Sequence, residues 1–267
     1  MKIRIPQIAS LALVTTLMLG LAAPALAAQD AVGDRAVVDG TTTDAPTDRA
    51  VDGAVDRVTD RLEDVRARCQ AAIERRVVDL GAAQSRVAGV EAVTAEHLGA
   101  INSIIDRTEA GLADQSTAIA AASTAEELRQ LCTEIATSFR VYLVVLPQTH
   151  LTVGADRIDV AIDRGHELVV RFDEAVEAAA AAGANVTEAV ALRDSAVAHL
   201  EASGDANATV ASTSLGVTAA SYNDGSGETI LDAARSHLRT AHDELEDGIA
   251  DARAAVEALR RALGELD

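Results

Sequence analysis

The residues of this chain that could do chemistry are its carboxylates, six histidines and two cysteines. Asp156, Asp159 and Asp163 recur at three- and four-residue spacing, which places them along one face of a helix. Asp243, Glu244, Glu246 and Asp247 form a second acidic cluster. Either group could draw a divalent cation. Hard cations take six or more oxygens, often from a turning loop, and neither cluster has EF-hand spacing, so both read as solvated helix faces. His166-Glu167 starts like a zinc-protease helix, but Val170 stands where the second ligand belongs. His237 and His242 are five residues apart and fall on different helix faces. With His97, His150 and His199 they read as surface or boundary residues. Lys2 is the one lysine, so the chain after it can hold neither a P-loop nor a lysine Schiff base. No Gly-x-Ser-x-Gly elbow occurs, and Gly225-Ser226-Gly227 lacks the third glycine of a dinucleotide fingerprint. The expectation is a non-enzymatic protein with no catalytic, cofactor-binding or metal-binding residues. Cys69 and Cys132 are its one pair of site residues, as a disulfide.

The elements that must position these residues are helices. From about residue 56 apolar side chains recur every three or four positions. A first helix over Asp56–Val90 carries the seam Val58, Leu62, Val65, Cys69, Ile73, Val77, Leu80. A second starts at Thr94, a plausible cap with Glu96 in the first turn, and shows Leu98, Ile101, Ile105, Leu112 and Ile119. A third opens with the capping-box pair Thr124 and Glu127 and runs through Leu128, Cys132, Ile135, Phe139 and Tyr142 to Leu146. Pro147 interrupts. A fourth follows over Thr149–Ala182, with a heptad seam from Leu151 to Ala179. Asn185 and Glu188 open a fifth, ending near Ser203. Residues 204–227, rich in Gly, Ser, Thr and Asn, read as loop. A sixth helix covers Glu228–Leu266, with its seam through Leu231, Ala234, Leu238, Ala241, Leu245, Ile249, Ala252, Val256, Leu259 and Leu263.

Extending the third seam past Leu146 leads to positions 149 and 153, whereas the fourth uses 151 and 155. Two residues amount to about 200° of rotation. Opposite faces then serve different packing groups. The predicted fold is all-α: long amphipathic helices in two three-helix bundle modules, 56–146 and 147–267, after a signal peptide and a disordered linker. The rival is a tight hairpin at Pro147 with six helices in one bundle.

Residues 1–27 read as an export signal. Lys2 and Arg4 precede an apolar run from Ile8 to Leu21, and Ala25-Leu26-Ala27 is an A-x-A cleavage site. The run is short for a membrane span, which needs ~20 residues, although a retained signal would act as an anchor. Residues 28–55, rich in Asp, Thr, Gly and Ala, read as a disordered acidic linker. Export places the chain in a disulfide-permissive compartment. In an up-down-up bundle the first and third helices run parallel, and Cys69 and Cys132 both lie towards their N-terminal ends. A Cys69–Cys132 bridge follows, its alternative being two free core thiols.

Removing residues 1–27, which hold two basic residues and no acid, takes the formal charge from −19 to −21. That charge repels phosphate backbones and anionic bilayers, so no nucleic-acid partner and no membrane insertion is expected unless the signal is retained. Phe139, Tyr142, Phe172 and Tyr222 are the only aromatics, which disfavours a tight small-molecule pocket. The run Val141–Leu146 reads as buried helix, too short to span a bilayer.

The stretches Arg66-Ala67-Arg68-Cys69-Gln70-Ala71-Ala72-Ile73-Glu74-Arg75-Arg76 and Arg140-Val141-Tyr142-Leu143-Val144-Val145-Leu146-Pro147 resemble segments of uncharacterised exported, coiled-coil-like helical proteins of high-GC actinobacteria. The Arg- and Ala-rich turns of the sixth helix are similar too. The resemblance spans roughly residues 60–265. It implies export and helices, and no activity or catalytic positions.

These readings point to a secreted or envelope-located structural or interaction protein, working through an unknown protein partner or through self-association. The alternative is an acidic Ca²⁺-binding or buffering protein.

Overall fold

The computed structural model describes residues 48–265, with side chains from residue 59. The signal reading at 1–27, and the linker reading as far as residue 47, lie outside the described residues. Among the described residues the chain is all-α and has no strand. The helices are α1 (Asp48–Ala88), α2 (Ala95–Ala121), α3 (Ala125–Thr137), α4 (Leu146–Ala181), α5 (Thr187–Asn207), α6 (Val210–Leu215), α7 (Ala219–Asn223) and α8 (Ser226–Gly264). A π-helical turn over Val141–Val145 leads into α4.

The first helix begins eight residues before its seam suggested, so 48–55 are helical and not linker. Val51 and Val55 continue the three- and four-residue spacing into Val58, and once a helix is nucleated each further residue adds a hydrogen bond at little cost. Thr94 and Thr124 cap α2 and α3, accepting from the backbone N–H of His97 and Glu127. Glu127 reaches back to the N–H of Ser123.

α1 and α2 run antiparallel: Gln84 bonds Asp106, Gln70 bonds the Ser116 carbonyl, and Arg66 donates to the carbonyls of Ile119 and Ala122 at the α2 C-terminus. Gln115 donates to the Leu131 carbonyl, which sets α3 antiparallel to α2 and parallel to α1. Ile73, Leu80, Val87, Ile101, Ile105, Leu112, Ile119, Leu128 and Ile135 form their shared core.

The chain breaks at Arg140, not at Pro147. Ser138 closes α3, and Arg140 adopts a left-handed backbone (φ 45°, ψ 38°). Pro147 instead lies in the first turn of α4, where its missing N–H is no loss. The phase mismatch between the third and fourth seams is absorbed here, by the reversal at Arg140 and the wider π turn. The run Val141–Leu146 is only half buried: Val141, Val144 and Val145 point inward, Tyr142 and Leu143 outward. Asn223 of α7 clasps the break, accepting from Arg140 Nε (2.7 Å) and donating to the Thr137 carbonyl (2.8 Å).

α4 and α8 run parallel, and α5 is antiparallel to both. Leu151, Ala155, Leu231 and Ala234 share one apolar layer, Ile158, Ile162, Leu200, Ala241 and Leu245 the next, and Val176, Ala179, Ala189, Ala258 and Leu259 the last. The first turns of α4 also meet the α1–α3 core, where Leu146 and Val153 pack. Residues from Asp48 onward form one compact unit.

Residues 204–227 are mostly helical, and not loop. Their small polar side chains are structural: Ser203 Oγ donates to the Ala241 carbonyl, and Asn207 Nδ2 donates to the Ala155 carbonyl and to Asp159. Asn185 does not cap α5 directly. Its oxygen accepts from the N–H and hydroxyl of Thr187 as a turn just before the helix.

Candidate functional site

The structure joins Cys69 to Cys132, with their Cα atoms 5.6 Å apart. The bridge ties α1 to its parallel neighbour α3. It sits in the middle of both helices and not towards their N-terminal ends, because α1 begins at Asp48 and α3 runs only to Thr137. Leu62, Leu131 and the two cysteines pack on the α1–α3 core.

The acidic triplet on α4 is split by its surroundings. Asp159 and Asp163 are exposed as expected, but Asp156 is only 2% exposed. It points away from α5 and α8, towards the start of α2. Its Oδ2 accepts from the Thr94 N–H (3.1 Å), and its Oδ1 lies 2.7 Å from His97 Nδ1. A carboxylate only accepts, so Nδ1 carries the proton. The α2 N-terminus adds its partial positive charge. A buried carboxylate that holds an imidazole in one tautomer is the orienting half of a general-base arrangement. Such chemistry also needs a nucleophile or a second ligand at Nε2. Among the described residues no group of three His, Cys, Asp or Glu side chains is placed to hold a metal ion. What the arrangement does is latch α2 onto α4. Beside it, buried Gln148 donates to the Ser214 and Val217 carbonyls and fastens the end of α6 to α4.

The second acidic cluster is likewise divided. Glu244 Oε2 lies 2.8 Å from His199 Nδ1 on α5, and Asp251 is 3.7 Å from Nε2. The hydrogen bond to Glu244 holds the His199 pKa above its ordinary value, and Asp251 and Asp247 add to it. His242 pairs with Glu246 along α8. His97, His199 and His242 are thus boundary residues, whereas His150, His166 and His237 are exposed.

At the π turn, Tyr142 donates to Asp79 (2.8 Å), and the Arg76 guanidinium lies 5.1 Å above its ring. Burial and the bond to Asp79 raise the phenol pKa, while burial lowers that of Arg76. Tyr142 was expected in the seam of the third helix. It is instead 44% exposed, because Arg140 turns the chain first. Arg140 stacks over Tyr222 in the same manner, 5.3 Å from the ring.

The signal for Asp156 was weak. Three aspartates on one helix face look alike until a neighbouring helix covers one of them. His97 offered more, since it follows the Thr94 cap by three residues.

No protein family, curated protein or solved structure matches the chain. Among the described residues no helix is long and apolar enough to cross a membrane.

Proposed function

We propose that this is a non-catalytic, exported helical protein that acts outside the cytoplasm, in the cell envelope or the extracellular space, as a structural or interaction module. The observation that carries the reading is the Cys69–Cys132 bridge between α1 and α3, since structural disulfides persist in oxidising compartments. Two further features support it. The acidic side chains that leave the surface, Asp156 and Glu244, are used to join helices. Large apolar side chains stand exposed on the outside of α1, the π turn and α4, as an interaction surface requires.

The test is fractionation of the native source combined with crosslinking in intact cells. The reading expects the protein outside the cytoplasm, oxidised, and crosslinked to itself or to another envelope component. A cytoplasmic, reduced or consistently partnerless protein would overturn it.

A further inference from the structure

α3 is lightly seated for a helix that carries half of the disulfide. It has 13 residues, a length at which an isolated helix is marginal in water. It buries two large apolar side chains, Leu128 and Ile135, whereas α2 buries Ile101, Ile105, Leu112 and Ile119. Its other ties are polar. Gln115 of α2 donates to the Leu131 carbonyl (2.7 Å) and to Glu134 (3.1 Å), and Asn223 of α7 donates to the Thr137 carbonyl. Arg129 pairs with Glu126 inside α3 and reaches no other helix among the described residues. The chain on either side is firmly held, since Ala122 before α3 and Val141 after it both belong to the buried core. α3 is therefore a strap fixed at both ends and pinned near its middle by Cys132.

The strap lies over apolar side chains of its neighbours. Ile73 is one turn beyond Cys69 on α1, and Leu112 and Ile119 flank Gln115 on α2; all three are buried in the shared core. Lifting α3 would return backbone and side-chain freedom to its residues at the loss of little buried apolar surface. The bridge removes that gain, because Cys132 must stay beside Cys69 however α3 moves. Both cysteines are only partly buried, which leaves the bridge within reach of a small dithiol. We propose that the Cys69–Cys132 bridge is a redox-sensitive lock on α3: a dithiol reductant opens it, and α3 then lifts from α1 and α2 while the other helices stay folded. A thiolate of the reductant attacks one sulfur, the Cys69–Cys132 bond breaks and a mixed disulfide forms. The second thiolate of the reductant then displaces that sulfur. The reductant ends as its own disulfide, and the chain takes up two electrons and two protons as two free thiols. Reoxidation by a disulfide runs the same steps backwards and seats α3 again. This goes beyond the function proposed above and does not rest on it.

The experiment is amide hydrogen exchange, read by mass spectrometry on peptides of the whole chain. Three samples are compared: the oxidised protein, the same protein in excess dithiothreitol without denaturant, and the double variant Cys69→Ala with Cys132→Ala. Peptides across Ala125–Thr137 should lose their protection in the reduced protein and in the variant, while those of α2 and α8 keep theirs. Reoxidation should restore protection to α3 in the wild type. In the reduced wild type iodoacetamide should label Cys132 as fast as it labels a cysteine in an unfolded peptide. The reduced wild type carries the reading by itself if the double variant fails to fold. A bridge that resists dithiothreitol under native conditions, α3 protection unchanged by reduction, or protection lost from α2 and α8 together with α3 would each overturn the proposal. Recovery of the protein from the cytoplasm would sink the export reading and leave the lock standing. Unchanged α3 protection in a protein found outside the cell would do the reverse.

Discussion

Removing the Asp156 carboxylate leaves the Thr94 N–H and the His97 ring without their acceptor in a buried position. Asp156→Ala should therefore destabilise the protein by about 2–3 kcal/mol in urea unfolding, the scale of losing hydrogen bonds to a buried charged group. Exposed Asp163→Ala, one further member of the same triplet, should change little. Equal effects would show that the latch contributes nothing. At His199 the expectation concerns pH. Its folded pKa is raised, chiefly by the hydrogen bond to Glu244. The stability it adds is fully present below the ordinary imidazole value of about 6.5 and is lost as pH rises through the higher folded value. Melting temperature should thus fall across that window in wild type and stay flatter in His199→Gln; parallel curves would refute the clasp. Of these two sites only the Thr94 cap was legible beforehand, because a cap needs only local sequence to act. The partners of Asp156 and His199 were not, because they come from other helices.

Gly227 shows how closely two elements meet. A Cβ there would lie 2.7 Å from the Tyr222 nitrogen and 2.9 Å from the Ser221 carbonyl carbon, both backbone atoms of α7. Gly227→Ala should cost about 1–3 kcal/mol, the usual penalty of overpacking. It should also loosen the α7 clasp on Arg140, which near-ultraviolet circular dichroism of Tyr222 can follow. Gly81, inside α1 with open space around it, should respond in the opposite sense, Gly81→Ala stabilising by about 0.5–1 kcal/mol. If both substitutions moved stability the same way, the packing account would be wrong. Most long helices were legible from their period, and α2 matches its expected seam at Ile101, Ile105, Leu112 and Ile119. The second half of α8 does not. The expected seam there used Ile249, Ala252, Val256, Leu259 and Leu263, of which only Leu259 is buried, beside Gly248, Ala255, Ala258 and Ala262. Hydropathy favours the larger side chains, but α5 approaches closely: a Cβ at Gly248 would sit 3.3 Å from the Ala196 carbonyl, so alanines flank the one large buried side chain there, Leu259. Residues 204–227 misled for a related reason. Serine, threonine and asparagine usually mark loops, yet here they hydrogen-bond helices to one another.

Across the whole molecule the disulfide is the one covalent tie between elements, joining residues 63 apart in sequence. Reduction should lower stability by about 4 kcal/mol in the chain-entropy view, measured as a shift in urea midpoint with and without reductant. An unchanged midpoint would mean that packing alone holds α1 to α3. The pairing itself was legible from two cysteines on apolar seams, although their height in the bundle was not, since it depends on where α1 begins and α3 ends. The same tie alters how the protein would carry mechanical load. A pull applied at the N-terminal end enters α1, crosses at Cys69 to Cys132, and leaves through α3 towards α4. The stretch between the cysteines, α2 included, is bypassed. Some 63 residues, about 210 Å of extended chain, are thereby withheld from the stretching strand, and reducing the bridge would release that slack in a single step.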